Sequence, residues 1–244
     1  MAEWRFQMAA ELSVLLLAAV SIGFFHTLFG PDHYLPFIVL AKSGNWSLSK
    51  TALITFLCGL GHVLSSVILG LLGVALGIAV NKLEAFESVR GNLAAWALIA
   101  FGLVYFIYGV RKAVRNKPHQ HRHPHSDGTS HEHIHVHSKE HLHIHEKEQN
   151  KKITPWILFI IFFFGPCEPL IPLLMYPAAR GSLGDLALVT AAFGIVTIST
   201  MLSIVLISSF GISFLPVSKL ERYSHAIAGA AVLLCGLSIQ FLGL

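Results

Sequence analysis

Long apolar runs constrain this chain more than any other feature. Segments of about 20 apolar residues, the length of helix that crosses the hydrocarbon core of a bilayer, recur throughout its 244 residues. Hydrophobic residues make up 54% of the chain and charged residues 12%, whereas about 25% is usual for a soluble domain. We therefore expect an all-α integral membrane protein in an inner or plasma membrane, with the lipid bilayer as its main partner.

The apolar runs predict six transmembrane helices. Their expected bounds are 10–41, 51–80, 92–113, 154–178, 185–212 and 223–243. The segment "NKLEAFESVRG" (Asn81–Gly91) is expected to be a short amphipathic connector. The predicted units are a first three-helix repeat at 1–113, a disordered His-rich cytoplasmic loop at 114–152 and a second three-helix repeat at 153–244.

The two halves share a motif near the start of each. "FGPDHYLPFIVL" (Phe29–Leu40) aligns with "FGPCEPLIPLLMY" (Phe164–Tyr176). Because each copy holds an odd number of spans, the second copy must be inverted relative to the first. Inverted repeats whose helices are broken at matching positions are typical of secondary transporters. Chance similarity between Leu-rich helices is the alternative.

Positive charges predict the orientation. Of the 17 Lys and Arg residues, four lie in the N-terminal segment and the connectors after spans two and four, and the other thirteen lie on the opposite side. The positive-inside rule then places the long loop in the cytoplasm and both termini outside. The basic residues flank apolar runs, so the net charge of +4 does not indicate nucleic-acid binding.

Ionisable side chains within apolar spans are costly and are therefore candidate functional groups. Here they are His26, Asp32, His33, His62 and Glu168, with Cys167 beside the last of them. We expect a metal site near the midplane from Asp32, His33 and His62, completed by Cys167 or Glu168. On an intact helix His26 and His33 would lie roughly 10 Å apart, so either the Gly30-Pro31 break shortens that distance or His26 lines an entry path.

Structural roles are the alternatives for each of these side chains. Asp32 can cap the helix after the break, and His33 can then pair with Glu168. His62 can make a hydrogen bond between helices, and Cys167 can be a small packing residue. Imidazole and carboxylate ligands suit Ni, Co, Zn or Mn, and a thiolate favours softer ions.

The predicted loop holds eleven of the fifteen histidines, nearly all spaced two residues apart. Neutral imidazoles on such a chain can chelate divalent ions, and a solvated linker is the alternative. The expected metal-capturing residues are His131, His133, His135, His137, His141, His143 and His145.

Two short motifs resemble those of the nickel/cobalt transporter superfamily, which includes permeases, efflux proteins with His-rich loops and urease-accessory-type proteins. They are "HTLFGPDH" (His26–His33) and "LGH" (Leu60–His62). The resemblance implies that His26, Asp32, His33 and His62 are metal ligands or selectivity residues.

The segment "FGPCEP" is similar instead to Gly-Pro-Cys segments of sulfite or organosulfur-anion exporters and of thiol-electron-relay membrane proteins. A relay needs one cysteine in each copy so that two thiols can meet. Asp32 occupies the position that matches Cys167, which disfavours a relay.

Together these features predict a secondary transporter of divalent transition-metal ions, nickel or cobalt first, that works in the direction of efflux by alternating access. Its metal ion would be cargo, with no resident cofactor. No ATP-binding motif such as a P-loop appears in the sequence, so we expect an ion gradient or the membrane potential to drive transport. We expect no enzymatic activity. The alternatives are an exporter of small sulfur or organic anions and a membrane accessory protein that buffers metal.

Overall fold

The computed structural model describes residues 2–115, 119–124, 130–135, 146–165, 167–213 and 221–243. The helices are α1 (Ala2–Phe29), α2 (Leu35–Ser43), α3 (Leu48–Ala75), α4 (Val80–Arg115), α5 (Glu146–Phe164), α6 (Leu170–Ala179), α7 (Leu183–Ser213) and α8 (Ser224–Leu242). Two 3-10 turns span Pro31–His33 and Glu221–Tyr223. Two antiparallel strands, β1 (His119–Pro124) and β2 (Ser130–His135), pair with each other.

Five helices of the described chain are long and apolar enough to cross a membrane. They lie at Ala9–Phe29, Leu48–Ala75, Val80–Arg115, Leu183–Ile212 and Glu221–Leu242. The region of the predicted fourth span is divided between α5 and α6, whose apolar parts, Ile153–Phe164 and Leu170–Ala179, are each shorter than the other five. The chain is thus a helical, multi-pass membrane protein.

The first predicted span is divided as well. Helix α1 ends at Phe29, Gly30 is extended, and Pro31–His33 form a 3-10 turn before α2 begins at Leu35. Proline has no amide hydrogen and its ring clashes with the preceding turn, so a helix cannot continue undisturbed through Pro31. The break predicted at Gly30-Pro31 is therefore present, and a second break follows Phe164.

The segment predicted as a connector, Asn81–Gly91, is instead helical, because α4 begins at Val80. Leu83, Glu87 and Arg90 are all buried, and their spacing of four and three residues places them on one face of α4. Of the polar residues in this segment, Glu87 and Arg90 point into the protein, whereas Lys82 and Glu84 are exposed. Arg90 is consequently not the exposed topological charge that the sequence analysis assumed.

The helices pack in reciprocal pairs between the two halves of the chain. Helix α1 contacts α7 and α3 contacts α5, while α2 contacts α7 and α3 contacts α6. Helices α4 and α8, the last of each half, pack most closely. At Gly102, Gly109 and Gly229 their backbones approach so closely that a methyl group would overlap the facing main chain.

Strands β1 and β2 lie inside the 114–152 loop. The disorder predicted for that loop as a whole stays a prediction. All seven histidines expected to capture metal there lie outside the residues whose side chains the structure describes.

Candidate metal centre

The break after α1 brings two histidines of that segment together. His26 lies in the last turn of α1 and His33 ends the 3-10 turn. Their ring centroids are 4.7 Å apart, about half the distance that an intact helix would impose. The backbone turns back on itself here, since the His33 amide donates to the Gly30 carbonyl (3.0 Å).

A third histidine faces this pair from another helix. The ring centroid of His62, on α3, lies 5.1 Å from that of His33 and 6.4 Å from that of His26. His33 and His62 are both buried. In all three rings Nε2 is buried and has no hydrogen-bond partner among the described residues. An unpartnered buried polar atom is costly, so three of them on rings that lie against one another indicate a site for a ligand.

The other ring nitrogen of two of these histidines is already engaged. His33 Nδ1 lies 3.2 Å from the Gly30 carbonyl and 3.1 Å from Asp32 Oδ1. His62 Nδ1 lies 3.4 Å from the Phe162 carbonyl. Carbonyl and carboxylate oxygens only accept hydrogen bonds, so Nδ1 must carry the proton and donate it. Each Nε2 then keeps a lone pair, which is the arrangement found in metal-ligating histidines.

The thiol of Cys167 completes the cluster from the second break. Cys167 is fully buried, and its amide donates to Ser66 Oγ (3.3 Å) on α3. One donor atom each from His26, His62 and Cys167 lie within 4.8 Å of one another. Two imidazoles and a thiol are ligands that zinc and copper(I) accept, so these residues fit such an ion.

The two predicted carboxylates lie beside this cluster rather than in it. Asp32 bonds to His33 Nδ1 and has an exposed fraction of 29% for its side chain. Glu168 is exposed and lines a cavity that is also lined by the three imidazoles. Among the described residues, His26, His62 and Cys167 form the group whose donor atoms are close enough to one another to share a metal ion. His33 lies beside this group, and its ring contacts the rings of both other histidines.

A cavity of about 830 Å³ gives access to the histidines. Its deep end is lined by the three imidazoles, and its walls include Phe25, Phe29, Leu98, Ile161 and Phe162. It extends to the polar side chains of Ser88, Asn92 and Gln240 and to Gly243, close to the end of α8. The cavity therefore extends from the imidazole rings to the C-terminal end of α8.

Two functional candidates were missed by the sequence analysis. Glu87 is completely buried and Arg90 nearly so, and they form an ion pair with Nη1 of Arg90 2.7 Å from Oε1 of Glu87. Their signal was present in the sequence as two ionisable residues three apart on the same face as Leu83. It was discounted because the segment was assigned to a connector, where charges are expected to be solvated.

Comparison with known proteins matches most of the chain to a family model. The model of the family described as cytochrome C biogenesis protein transmembrane region matches residues 35–238. No curated protein and no solved structure is detectably similar to the chain. His62, Cys167 and Glu168 lie within the matched range, whereas His26, Asp32 and His33 precede it.

This match corrects both the predicted family and the predicted function. The chain is not assigned to the nickel/cobalt transporter superfamily, and the nickel or cobalt transport inferred from it is withdrawn. The resemblance rested on short motifs, and the spacing from His26 to Asp32 differs by one residue from the superfamily's His-x4-Asp-His pattern. A motif of so few residues can reflect the chemistry of a side-chain cluster without showing that two proteins belong to the same family. The chain belongs to the family of the cytochrome C biogenesis protein transmembrane region.

Proposed function

We propose that this protein is a membrane protein of the cytochrome c biogenesis type whose functional group is the thiol of Cys167. We further propose that this thiol helps to bind a transition-metal ion inside the membrane. Cys167, His26 and His62 are the proposed ligands, with His33 as a fourth. Two observations carry the proposal. The Nε2 atoms of His26, His33 and His62 are buried and have no hydrogen-bond partner among the described residues, and a ring nitrogen of His26 and one of His62 lie within 4.8 Å of the Cys167 thiol.

The donor set selects among ions. Thiolate and imidazole ligands favour zinc and copper(I), whereas magnesium, calcium and manganese prefer oxygen ligands. Asp32 supports the site by orienting His33 through Nδ1. A carboxylate that accepts a hydrogen bond from the other ring nitrogen raises the basicity of the ligating nitrogen. Glu168, on the cavity wall, attracts the cation.

A dithiol relay is less compatible with the arrangement of cysteines. Cys58 and Cys235 pack in one hydrophobic cluster with Phe37, Leu158 and Met201. Cys167 packs in another, with Leu170 and Phe193. All three are free thiols, and the donor atoms grouped with the Cys167 thiol are imidazole nitrogens. The neighbours of Cys167 are therefore suited to metal binding rather than to the formation of a disulfide.

We also propose that six spans form two inverted three-helix repeats, with α1–α2 and α5–α6 as the broken first helix of each copy. The reciprocal packing of α1 on α7 and of α3 on α5 supports this arrangement. The breaks then face each other near the midplane, where irregular backbone is tolerated because it lines a protein cavity. The His-rich loop supplies further imidazoles to the same ions.

Protection of Cys167 from alkylation tests the proposal. The loop contains no cysteine, so its histidines cannot contribute to this signal. In a Cys58→Ala/Cys235→Ala chain, Cys167 is the one remaining thiol, and a small membrane-permeable maleimide reports its reactivity. We expect zinc or copper(I) to slow alkylation by about tenfold or more, because a coordinated thiolate is no longer a free nucleophile. Adding His62→Ala should reduce this protection.

The matched control retains Cys235 alone, through Cys58→Ala and Cys167→Ala. Its alkylation should not respond to the ions, since Cys235 is packed among apolar side chains. Equal alkylation of Cys167 with and without each ion would refute metal binding. Oxidation of the native chain to a Cys167 disulfide with another of its cysteines would instead favour the dithiol relay.

A further inference from the structure

The second helix break leaves backbone carbonyls without helical partners. The last four carbonyls of any helix lack an intrahelical donor, and α5 ends at Phe164, within the membrane-embedded part of the chain. Water is scarce there, and each unsatisfied carbonyl is costly. The structure must therefore supply donors at this point, or the break would not persist.

Arg90 of α4 supplies them. Its Nη2 donates to the Gly165 carbonyl (2.9 Å) and lies 3.3 Å from the Phe163 carbonyl. Its Nε lies 3.4 Å from the Phe164 carbonyl. Three consecutive carbonyls at the end of α5 thus converge on one guanidinium, whose rigid fork of donors suits such a set.

The guanidinium is itself held from two sides. Nη1 donates to Glu87 Oε1 at 2.7 Å, and Nη2 donates to Ser65 Oγ at 2.9 Å. Glu87 lies one turn earlier on α4, and Ser65 lies one turn after His62 on α3. The network therefore connects α4, the helix that carries His62 and the break that precedes Cys167.

We propose that Arg90, held by Glu87, is a positioning residue that keeps the second break open and the Cys167 thiol directed at His26 and His62. Cys167 follows the Arg90-bound carbonyls by two to four residues, and the hydrogen bond that its amide donates to Ser66 Oγ is long at 3.3 Å. Loss of the guanidinium lets the end of α5 rearrange and the thiol move. The metal consequence rests on the proposed function, whereas the effect on the thiol does not.

The test compares thiol reactivity in metal-free protein. Three full-length chains, each retaining one of Cys58, Cys167 or Cys235, are alkylated with and without Arg90→Gln. The reaction of a buried thiol follows the population of open conformations. We expect alkylation of Cys167 to accelerate by about tenfold or more while that of Cys58 and Cys235 stays unchanged. Arg90→Lys should give an intermediate rate, because an ammonium keeps the charge but not the fork.

Glu87→Gln provides a milder variant if Arg90→Gln does not fold, and should change Cys167 in the same direction. Arg180→Gln is the matched control, since Arg180 also pairs with a glutamate, Glu11, but is half exposed. Arg180 lies at the C-terminal end of α6, whereas the break precedes that helix. Arg180→Gln should leave all three thiols unaffected. Parallel acceleration of all three thiols in Arg90→Gln would show a general stabilising role and overturn the proposal, as would no change at Cys167.

A second readout follows the ligand set. Zinc X-ray absorption at less than one equivalent should show a sulfur ligand at about 2.3 Å in the unmodified chain. In Arg90→Gln that sulfur should be lost while imidazole ligands at about 2.0 Å remain. An unmodified chain without a sulfur ligand would refute the proposed function, and the alkylation rates would still decide the role of Arg90.

Discussion

Asp32 and His33 are adjacent in the chain but differ in the contacts that their side chains make at this site. Asp32 was expected to be a ligand, yet its Oδ1 lies 3.1 Å from His33 Nδ1, with the Gly30 carbonyl 3.2 Å from the same nitrogen. Two acceptors on one ring nitrogen fix the tautomer and leave the lone pair on Nε2. If the site binds a metal ion as proposed, we expect the carboxylate to act on that ion through the imidazole.

Asp32→Asn tests this indirect role at the scale of one residue. The change keeps the shape of the side chain but removes its charge, so His33 becomes a weaker base. We expect the zinc concentration that half-protects Cys167 to rise by about 10- to 100-fold, as is typical when an outer-shell partner of a ligand is lost. Asp185→Asn, at the start of α7, is the control and should leave that concentration unchanged. An unaltered value in Asp32→Asn would exclude the orienting role.

At the scale of elements, the two breaks are held in different ways. The first is stabilised by its own neighbourhood, since the Gly30 carbonyl meets the His33 amide and ring. The second depends on Arg90 from the other half of the chain. A Gly-Pro pair marks the position of each break in the sequence, but the distant side chain that holds the second break cannot be identified from the motif beside it.

The close pairing of α4 with α8 makes a prediction about stability. A methyl group on Gly229 would overlap the backbone of Tyr105 and Phe106, and main chain cannot move aside as a flexible side chain can. We expect Gly229→Ala to lower the free energy of unfolding by about 1–3 kcal/mol through overpacking. Thermal unfolding in detergent, followed by exposure of the buried thiols, measures this.

Gly211→Ala is the matched control for that change. Gly211 also lies in a helix, α7, but a methyl group there would meet no atom within 4 Å. Alanine is favoured over glycine in helices by up to about 1 kcal/mol, so this variant should be as stable as the native chain or slightly more so. Equal destabilisation of both variants would show that the α4–α8 contact does not determine the effect, because Gly211 makes no such contact.

These elements also show what could be read from the sequence. Apolar length predicted helices and membrane insertion, and Gly30-Pro31 and Gly165-Pro166 predicted where two of them break. The bounds of α4 were missed because Glu87 and Arg90 look like solvated connector residues until their partners are known. Those partners, the carbonyls of Phe163 and Gly165, belong to a segment about 75 residues away, and backbone carbonyls leave no mark in a sequence.

At the scale of the whole molecule, the buried position of Arg90 lowers the number of topological basic residues on one side of the membrane but does not change which side has more of them. Without it, Arg5, Lys82 and Arg180 remain on the side assigned to the outside, against thirteen basic residues on the other. The positive-inside rule still places the loop in the cytoplasm. If the repeats are inverted, the turn between α3 and α4 lies on the opposite side from the loop.

Cysteine labelling in intact cells tests this orientation. In a cysteine-free chain, Ala79→Cys marks the exposed turn before α4 and Ser126→Cys marks the loop. We expect a membrane-impermeant maleimide to label Ala79→Cys in intact cells and Ser126→Cys only after permeabilisation. The reverse pattern would place the loop outside, and labelling of both in intact cells would place them on one side. Either result would contradict the six-span arrangement or its orientation, because an odd number of crossings must separate these two sites.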